Sequence, residues 1–203
     1  MFQDSQEFQD YIILNKEKYF IKNYKNEAEL IKIIKEHWKE LFGNDCLYIE
    51  INKKLKSSSG IESIPDGYII YPKDKYYNIV EVELTRHPLH RHIIPQLSKF
   101  ISGIKNIDNK KNIVDAIFFE IKKNNYLDSF LNKNIKLEDV HKCIDDIFLE
   151  EPILLIIIDE HNNEIEDIKN ALNCEVYYTT IKTYINKNKI NDHIHLVYSN
   201  WEE

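Results

Sequence analysis

The amino-acid sequence predicts an α/β fold in which a mixed β-sheet is flanked by helices. Two long segments carry apolar residues at helical spacing, and short runs rich in Ile, Val and Tyr stand between turn residues. The predicted order is helix, three strands, helix and strand, followed by further elements. A chain of 203 residues with 43% hydrophobic residues is expected to form one domain over residues 1–203.

Two amphipathic helices are predicted with the greatest detail. The first covers about residues 26–42, ends at residues 43–45, and has an apolar stripe of Leu30, Ile31, Ile34, Trp38 and Leu41. The second begins at Pro88 and reaches about Lys105, with an apolar stripe of Leu89, Ile93, Leu97, Phe100 and Ile104. Residues 5–22 are predicted as another helix that precedes these two.

Strands are predicted in the first half of the chain at residues 46–51, 67–71 and 77–84, the last two joined by a turn at residues 72–75. The later elements are two buried strands, a mostly helical stretch, another helix and two final strands. The two buried strands are expected at residues 114–121 and 153–158, with the mostly helical stretch between them at 126–146. The next helix is expected at residues 164–172, and the final strands are expected at 175–180 and 195–198.

Composition excludes several functional classes. The longest apolar run, residues 153–158, is too short to cross a bilayer, so no membrane association is expected. Acidic residues at the N-terminus do not fit a signal peptide, and three widely spaced cysteines fit reduced thiols, so a cytoplasmic location is expected. Neither a G-x-G-x-x-G nor a Walker sequence is present. The net charge of −7 argues against a wholly basic nucleic-acid-binding surface but permits a local one.

Three acidic residues are predicted to meet at one end of the sheet. Glu81 and Glu83 are two residues apart in the predicted strand 77–84, so their side chains share a face. Asp66 directly precedes the predicted strand 67–71, which pairs with the strand that carries the two glutamates. Hard divalent cations prefer such oxygen ligands. The alternatives are that Glu81-x-Glu83 is only the solvent face of a strand and that Pro65-Asp66-Gly67 is only a turn.

These residues resemble the PD-(D/E)XK nuclease superfamily over roughly residues 27–100. The family has an acidic helix, a hairpin with Pro-Asp, an acid-x-Lys element and a second helix. The resemblance implies a restriction-endonuclease-like core at about residues 26–122, with C-terminal additions at about residues 123–203. It also implies that Asp66 and Glu81 bind Mg²⁺, with Mn²⁺ as a substitute, and that Glu27 and Gln96 belong to the catalytic site.

One position departs from the family pattern, because Glu83 stands where the family usually has Lys. Some restriction endonucleases of the superfamily also have Glu there. Glu83 could take a proton from water or contact a metal. The missing positive charge could come from Lys54, Arg86 or a second metal, and the sequence does not choose among them. We expect Lys54, Arg86 and His87 to contact nucleic acid.

Helical periodicity separates two acidic residues of the first helix. Glu27 precedes the apolar stripe by the spacing of one helical face and is predicted to point at the sheet, whereas Glu29 is predicted to face solvent. The alternative is that Glu27 only adds favourable charge to the helix N-terminus.

The predicted function is Mg²⁺-dependent endonucleolytic hydrolysis of nucleic acid, DNA rather than RNA, possibly by a homodimer. The alternative is a degenerate nuclease fold that binds nucleic acid or a protein partner without cleavage. A weaker alternative is a zinc site formed by histidines together with glutamates, since His87, His90 and His92 follow the acidic strand and His193-x-His195 lies near the end of the sequence. H-E-x-x-H is absent, and residues 90 and 92 do not share a helical face.

Overall fold

The computed structural model describes residues 11–56, 60, 62–124, 126, 137–172, 174–189 and 192–200. Within these ranges the chain forms five α-helices and ten β-strands. The helices are α1 (Glu27–Phe42), α2 (Leu89–Ile104), α3 (Ile107–Lys123), α4 (Leu137–Ile147) and α5 (Glu164–Ala171). The strands are β1 (Tyr11–Leu14), β2 (Glu17–Ile21), β3 (Leu47–Ile49), β4 (Leu55–Lys56), β5 (Glu62–Ser63), β6 (Gly67–Tyr71), β7 (Tyr76–Glu83), β8 (Ile153–Ile158), β9 (Val176–Ile185) and β10 (His193–Ser199).

Eight of these strands form one mixed sheet in the order β1-β2-β9-β8-β7-β6-β3, with β10 also paired to β9. The β7–β8 and β8–β9 pairs are parallel, and the other pairs are antiparallel. The short strands β4 and β5 form a separate two-stranded sheet that α2 contacts. The chain therefore has the predicted α/β architecture, a mixed sheet flanked by helices. No helix in the described ranges has the length and apolar character to cross a membrane.

Helices α1 and α2 confirm the predicted boundaries to within a residue. Asn26 caps α1, and its side-chain oxygen accepts a hydrogen bond from the backbone N–H of Glu29 at 3.3 Å. In α2 the whole predicted stripe is buried: Leu89, Ile93, Leu97, Phe100 and Ile104. In α1 the buried face consists of Leu30, Ile33, Ile34, Trp38 and Phe42, so the predicted Ile31 and Leu41 lie at its margins.

The strands β3, β6, β7 and β8 also lie where they were predicted, as do the turn at residues 72–75 and the helix α5. Strands β9 and β10 are longer than predicted because they pair with each other over seven positions. Of the stretch 126–146, residues 137–146 are helical as predicted, and residues 127–136 lie outside the described part of the chain. The nuclease-like core was predicted to end at about residue 122. The central sheet includes a strand beyond that boundary, because β8 pairs directly with β7.

The predicted helix at residues 5–22 is wrong where the structure describes it. Residues 11–21 form a β-hairpin, and residues 5–10 lie outside the described ranges. The turn residues Asn15 and Lys16 have φ values of 51° and 67°, the left-handed conformation that a two-residue hairpin turn requires. The hairpin is then held by tertiary pairing, because Phe20 and Ile21 pair with the end of β9.

The predicted strand at residues 114–121 is also wrong, because this segment belongs to helix α3. Asn106 caps the helix through hydrogen bonds from the backbone N–H groups of Asp108 and Asn109. The buried residues recur at helical spacing along α3: Ile113, Val114, Ile117 and Ile121. The run of β-branched residues suggested a strand, but capping and burial on one face determine a helix.

Two residues of this segment distinguish helix from strand in an experiment. Ile117 is fully buried and Phe119 is 62% exposed, whereas a strand would place both on the same face. We expect Ile117→Ala to lower the free energy of unfolding by about 2–5 kcal/mol and Phe119→Ala to change it by less than about 0.5 kcal/mol. Urea unfolding followed by circular dichroism measures both, and equal losses would contradict the helical assignment.

Candidate functional site

Strand β7 carries the two alternating glutamates in the interior of the sheet. It pairs with β6 on one side and β8 on the other. Glu81 is 3% exposed and Glu83 is 5% exposed. The alternative that Glu81-x-Glu83 is a solvent-facing strand edge is therefore excluded. Charged side chains this deeply buried cost free energy unless they are paired, protonated or bound to a cation.

Asp66 is fixed beside β7 by the backbone of the hairpin. Its backbone N–H donates to the carbonyl of Val80 at 3.1 Å, and its carboxylate accepts from the N–H of Val82 at 2.8 Å. The ring of Tyr48 packs closely against the backbone at Gly67. A side chain at position 67 would prevent this packing, because its Cβ would lie 2.5 Å from the Tyr48 ring. The Tyr48 hydroxyl donates to the carbonyl of Asp66 at 3.1 Å. The Pro-Asp-Gly sequence thus positions a carboxylate as well as leading into a strand.

The N-terminus of α1 is tied to the end of β7 by Arg86. Its guanidinium donates to the carbonyl oxygen of Tyr24 at 3.0 Å and to that of Lys25. The hydroxyls of Tyr24 and Thr183 lie 2.5 Å apart, which also connects this segment to β9. These contacts hold the chain just before Asn26. As a result Glu27, which is the first residue of α1, lies beside strand β7.

His87 joins the two glutamates that come from different elements. Its Nδ1 lies 2.9 Å from Glu27 Oε1 and 2.5 Å from Glu83 Oε1. Ligand atoms of Glu27, Glu83 and His87 all lie within 4.8 Å of one another, close enough to hold one metal ion. His90 and His92 are not part of this set of three ligands. Zinc held by a histidine together with glutamates stays a prediction.

Burial and mutual repulsion raise the pKa values of the two predicted metal ligands. The pKa of Asp66 rises to about 6, mainly because of burial and also because of the charges of Glu83 and Glu27, while the hydrogen bond from Val82 opposes the rise. The pKa of Glu81 rises to about 9 through burial and the charges of Asp66 and Glu83. Glu81 Oε2 is buried and has no hydrogen-bond partner in the described part of the chain. These groups therefore form one electrostatically coupled acidic site.

Lys99 of α2 acts electrostatically on Glu81, and the sequence prediction did not include it. Its charge lowers the pKa of Glu81, against the effect of the neighbouring carboxylates. Lys54, one predicted source of positive charge, instead pairs with Glu62 at 2.5 Å in the small β4–β5 sheet. Arg86, the other predicted source, is engaged by backbone carbonyls. Whether Lys54, Arg86 and His87 contact nucleic acid stays a prediction.

Gln96 and Glu29 occupy less decisive positions. Gln96 is half-buried on α2, one turn before Lys99, and among the described residues no hydrogen bond joins it to the site carboxylates. Glu29 does not face solvent as predicted: its side chain is 30% exposed, against 33% for Glu27, and it pairs with Lys22 at 3.4 Å. The two glutamates of α1 are therefore distinguished by their partners, His87 and Lys22, and not by exposure.

Asp159 is a further residue that sequence reasoning missed. It follows β8 and accepts hydrogen bonds from the backbone N–H and hydroxyl of Thr85 at 2.8 and 2.7 Å. These bonds fix the segment between β7 and His87. The sequence does show an acidic residue directly after a buried strand, a position at the carboxyl edge of a parallel sheet. It does not show that β8 pairs with β7, which is what brings Asp159 close to Thr85.

The chain matches no protein-family model, no curated protein and no solved structure. The resemblance to the PD-(D/E)XK superfamily therefore depends only on the residues and their arrangement, and it stays a prediction.

The raised carboxyl pKa values predict how stability depends on pH without metal. The pKa values of Asp66 and Glu81 are higher in the folded than in the unfolded protein, so the folded state binds more protons. The free energy of unfolding therefore falls as pH rises from about 4.5 to about 9. We expect Glu81→Gln, which has no proton to lose, to remove much of this decline and to raise the Tm at pH 8. Thermal unfolding in EDTA between these pH values measures it.

The matched control for this experiment is Glu40→Gln, because Glu40 is exposed on α1. Its pH profile should follow that of the wild type. A Glu81→Gln profile parallel to the wild type would mean that Glu81 is not protonated in the folded protein.

Proposed function

We propose that this chain is a Mg²⁺-dependent nuclease that hydrolyses phosphodiester bonds in DNA. The observation that supports the proposal is the cluster of Asp66, Glu81 and Glu83 with Glu27 and His87 at one end of β7. Burying several carboxylates together costs free energy, and a bound divalent cation would offset that cost.

The donor atoms of this site suit a hard divalent cation. Glu81 Oε2 lacks a hydrogen-bond partner among the described residues, and a cation would satisfy it. Carboxylate oxygens suit Mg²⁺ and Mn²⁺. The adjoining set of Glu27, Glu83 and His87, whose ligand atoms lie within 4.8 Å of one another, also contains an imidazole, which suits transition metals. We assign the metal to Asp66 and Glu81, with Glu27, Glu83 and His87 as an adjoining set of ligands.

In the proposed mechanism each residue has a separate role. Asp66 and Glu81 would hold Mg²⁺, which would polarise the scissile phosphate and lower the pKa of a water at the site. Glu83 orients the attacking water and accepts its proton, and His87, within hydrogen-bond distance of Glu83 Oε1, can take that proton onward. Glu27 contacts the same imidazole nitrogen, Nδ1, and helps to position the ring. Lys99 provides the positive charge that the family's usual lysine would give at position 83.

The alternative of a non-cleaving nucleic-acid-binding protein is favoured by one observation. His87 contacts both Glu27 and Glu83, so three of the ligands are already paired with one another without a cation. Cleavage assays separate the two functions, because a non-cleaving protein would bind DNA and leave it intact in Mg²⁺.

The first functional prediction concerns the metal ligands. We expect Asp66→Asn and Glu81→Gln to reduce Mg²⁺-dependent cleavage of plasmid and single-stranded DNA at least about 100-fold, while each variant stays folded. Cleavage by the wild type should stop in EDTA. Undiminished cleavage by either folded variant, or equal cleavage in EDTA, would refute the assignment.

The second functional prediction uses the two similarly exposed glutamates of α1. Glu27→Gln should slow cleavage at least about 10-fold, because it removes the partner of His87, whereas Glu29→Gln should cut like the wild type. Binding of Mn²⁺, followed by electron paramagnetic resonance, shows which ligands hold the cation. If Glu27→Gln loses Mn²⁺ and Glu81→Gln retains it, the ion lies in the Glu27–Glu83–His87 set instead.

A further inference from the structure

A cavity of about 480 Å³ lies over strands β9 and β10, apart from the carboxylates described above. Its lining includes the aromatic side chains of His161, Tyr178 and Tyr198 together with Thr180 and Lys182. The ring centroids of His161 and Tyr178 are 5.4 Å apart, and those of Tyr178 and Tyr198 are 6.2 Å apart. The cavity thus combines aromatic rings with a few polar groups, which is typical of a ligand pocket.

The register of the sheet places this cavity on the same face as the acidic site. Glu83 pairs with Ile158, Ile158 pairs with Thr180, and Thr180 pairs with Tyr198 across four adjacent strands. Residues in register on neighbouring strands point to the same face, and strands are about 4.8 Å apart, so Thr180 lies roughly 10 Å across the sheet from Glu83.

A second cavity shares two lining residues with the aromatic cavity and lies toward the end of β7. Its volume is about 560 Å³, and it is lined by Thr85 and Arg86 next to His87 and by residues 160–163. Glu160 and His161 line both cavities. The two cavities therefore adjoin at the loop after β8, and the second one reaches the segment that immediately precedes His87.

Thr180 provides a polar group that the protein itself does not use. Thr180 is 6% exposed, and its hydroxyl oxygen is buried without a hydrogen-bond partner among the described residues. Buried hydroxyls without partners are costly. Rotation of the Thr180 side chain toward the cavity would give its hydroxyl a partner in a ligand. A hydroxyl both donates and accepts, so it suits the edge of a heterocycle.

The charge of the cavity indicates which part of a nucleic acid it would accept. Lys182 is paired with Glu160 at 2.8 Å, so the basic and acidic groups at the cavity neutralise each other. A phosphate site would require an excess of positive charge. A neutral planar ring, in contrast, can stack on the tyrosine and histidine side chains.

We propose that this cavity, which we call the β9–β10 pocket, binds a nucleobase of the single strand whose phosphate lies at the acidic site. This inference rests on the proposed function, because it places the two sites on one nucleic-acid strand. Nucleotides in a stacked strand are spaced by roughly 3.4 Å, so a distance of roughly 10 Å puts the bound base within about three nucleotides of the scissile phosphate. Tyr178 and Tyr198 stack on the base, and Thr180 hydrogen-bonds to its edge.

The test measures base-dependent binding by the full chain. Short fluorescein-labelled single-stranded DNA is titrated with Ca²⁺ in place of Mg²⁺, a gel confirms that the DNA stays intact, and Kd is obtained from fluorescence anisotropy. Tyr198→Ala should raise Kd about 5- to 100-fold. Tyr11→Ala is the matched control, because Tyr11 is also an exposed edge-strand tyrosine, 40% exposed against 49% for Tyr198. It should change Kd less than about twofold.

A scan of abasic positions gives a readout that a structural role of Tyr198 would not affect. Removing one base should weaken binding to the wild type at a defined position, and the same removal should have no further effect on Tyr198→Ala. Thr180→Val replaces the hydroxyl with a methyl group of similar volume and should reduce the preference among the four bases at that position. Equal losses in wild type and Tyr198→Ala, or no position-dependent loss, would overturn the proposal.

The outcomes distinguish this inference from the proposed function. Mg²⁺-dependent cleavage without base-dependent binding refutes the β9–β10 pocket alone. Base-dependent binding without cleavage refutes the nuclease and leaves the pocket. If sedimentation shows that Tyr198→Ala converts a dimer into a monomer and leaves base dependence unchanged, the surface contacts a second copy of the chain and the proposal is wrong.

Discussion

The burial of two carboxylates on an interior strand is the constraint on which the rest of the site depends. Glu81 and Glu83 lie on β7, which has a hydrogen-bonded strand on each side and apolar residues at the alternate positions. Glu83 is compensated by His87 and by the backbone N–H of Leu84. Glu81 is not compensated by hydrogen bonds to both oxygens, and its raised pKa keeps it protonated near neutral pH. Cation binding would therefore be coupled to the release of a proton.

The surrounding contacts are arranged to hold the partners of these carboxylates. The Arg86 guanidinium fixes the segment before α1, and Asp159 fixes Thr85. Tyr48 packs where Gly67 has no side chain and binds the carbonyl of Asp66. Site geometry here depends on backbone carbonyls and N–H groups as much as on side-chain pairs.

Sequence reasoning predicted what local patterns determine. Asp66, Glu81 and Glu83 belong to one hairpin, so strand alternation and a short turn were sufficient to bring them together. Glu27 required only the period of one helix. The N-terminal hairpin was missed because its stability comes from pairing with β9, more than 150 residues later. Helix α3 was missed because its β-branched residues favour strands, and an Asn cap with one buried face overrode that preference.

Other features of the site lie beyond what one sequence shows. Lys99 is one of many lysines on helix surfaces, and its effect on Glu81 follows from how α2 packs against β7. The aromatic cavity requires the order β7-β8-β9-β10, and two of these pairings are parallel. Parallel partners are separated by long connections, so no local pattern identifies them.

The parallel pairing also bears on the sequence of events during folding. The β6–β7 hairpin closes through a short turn, so its carboxylates come together while water still surrounds them. Strand β8 joins only after residues 84–152 have closed a long loop, which is a slower step. The desolvation of Glu81 and Glu83 therefore falls on the late step of folding. Because burial raises the pKa of Glu81, the uptake of its proton accompanies the step in which β8 covers it.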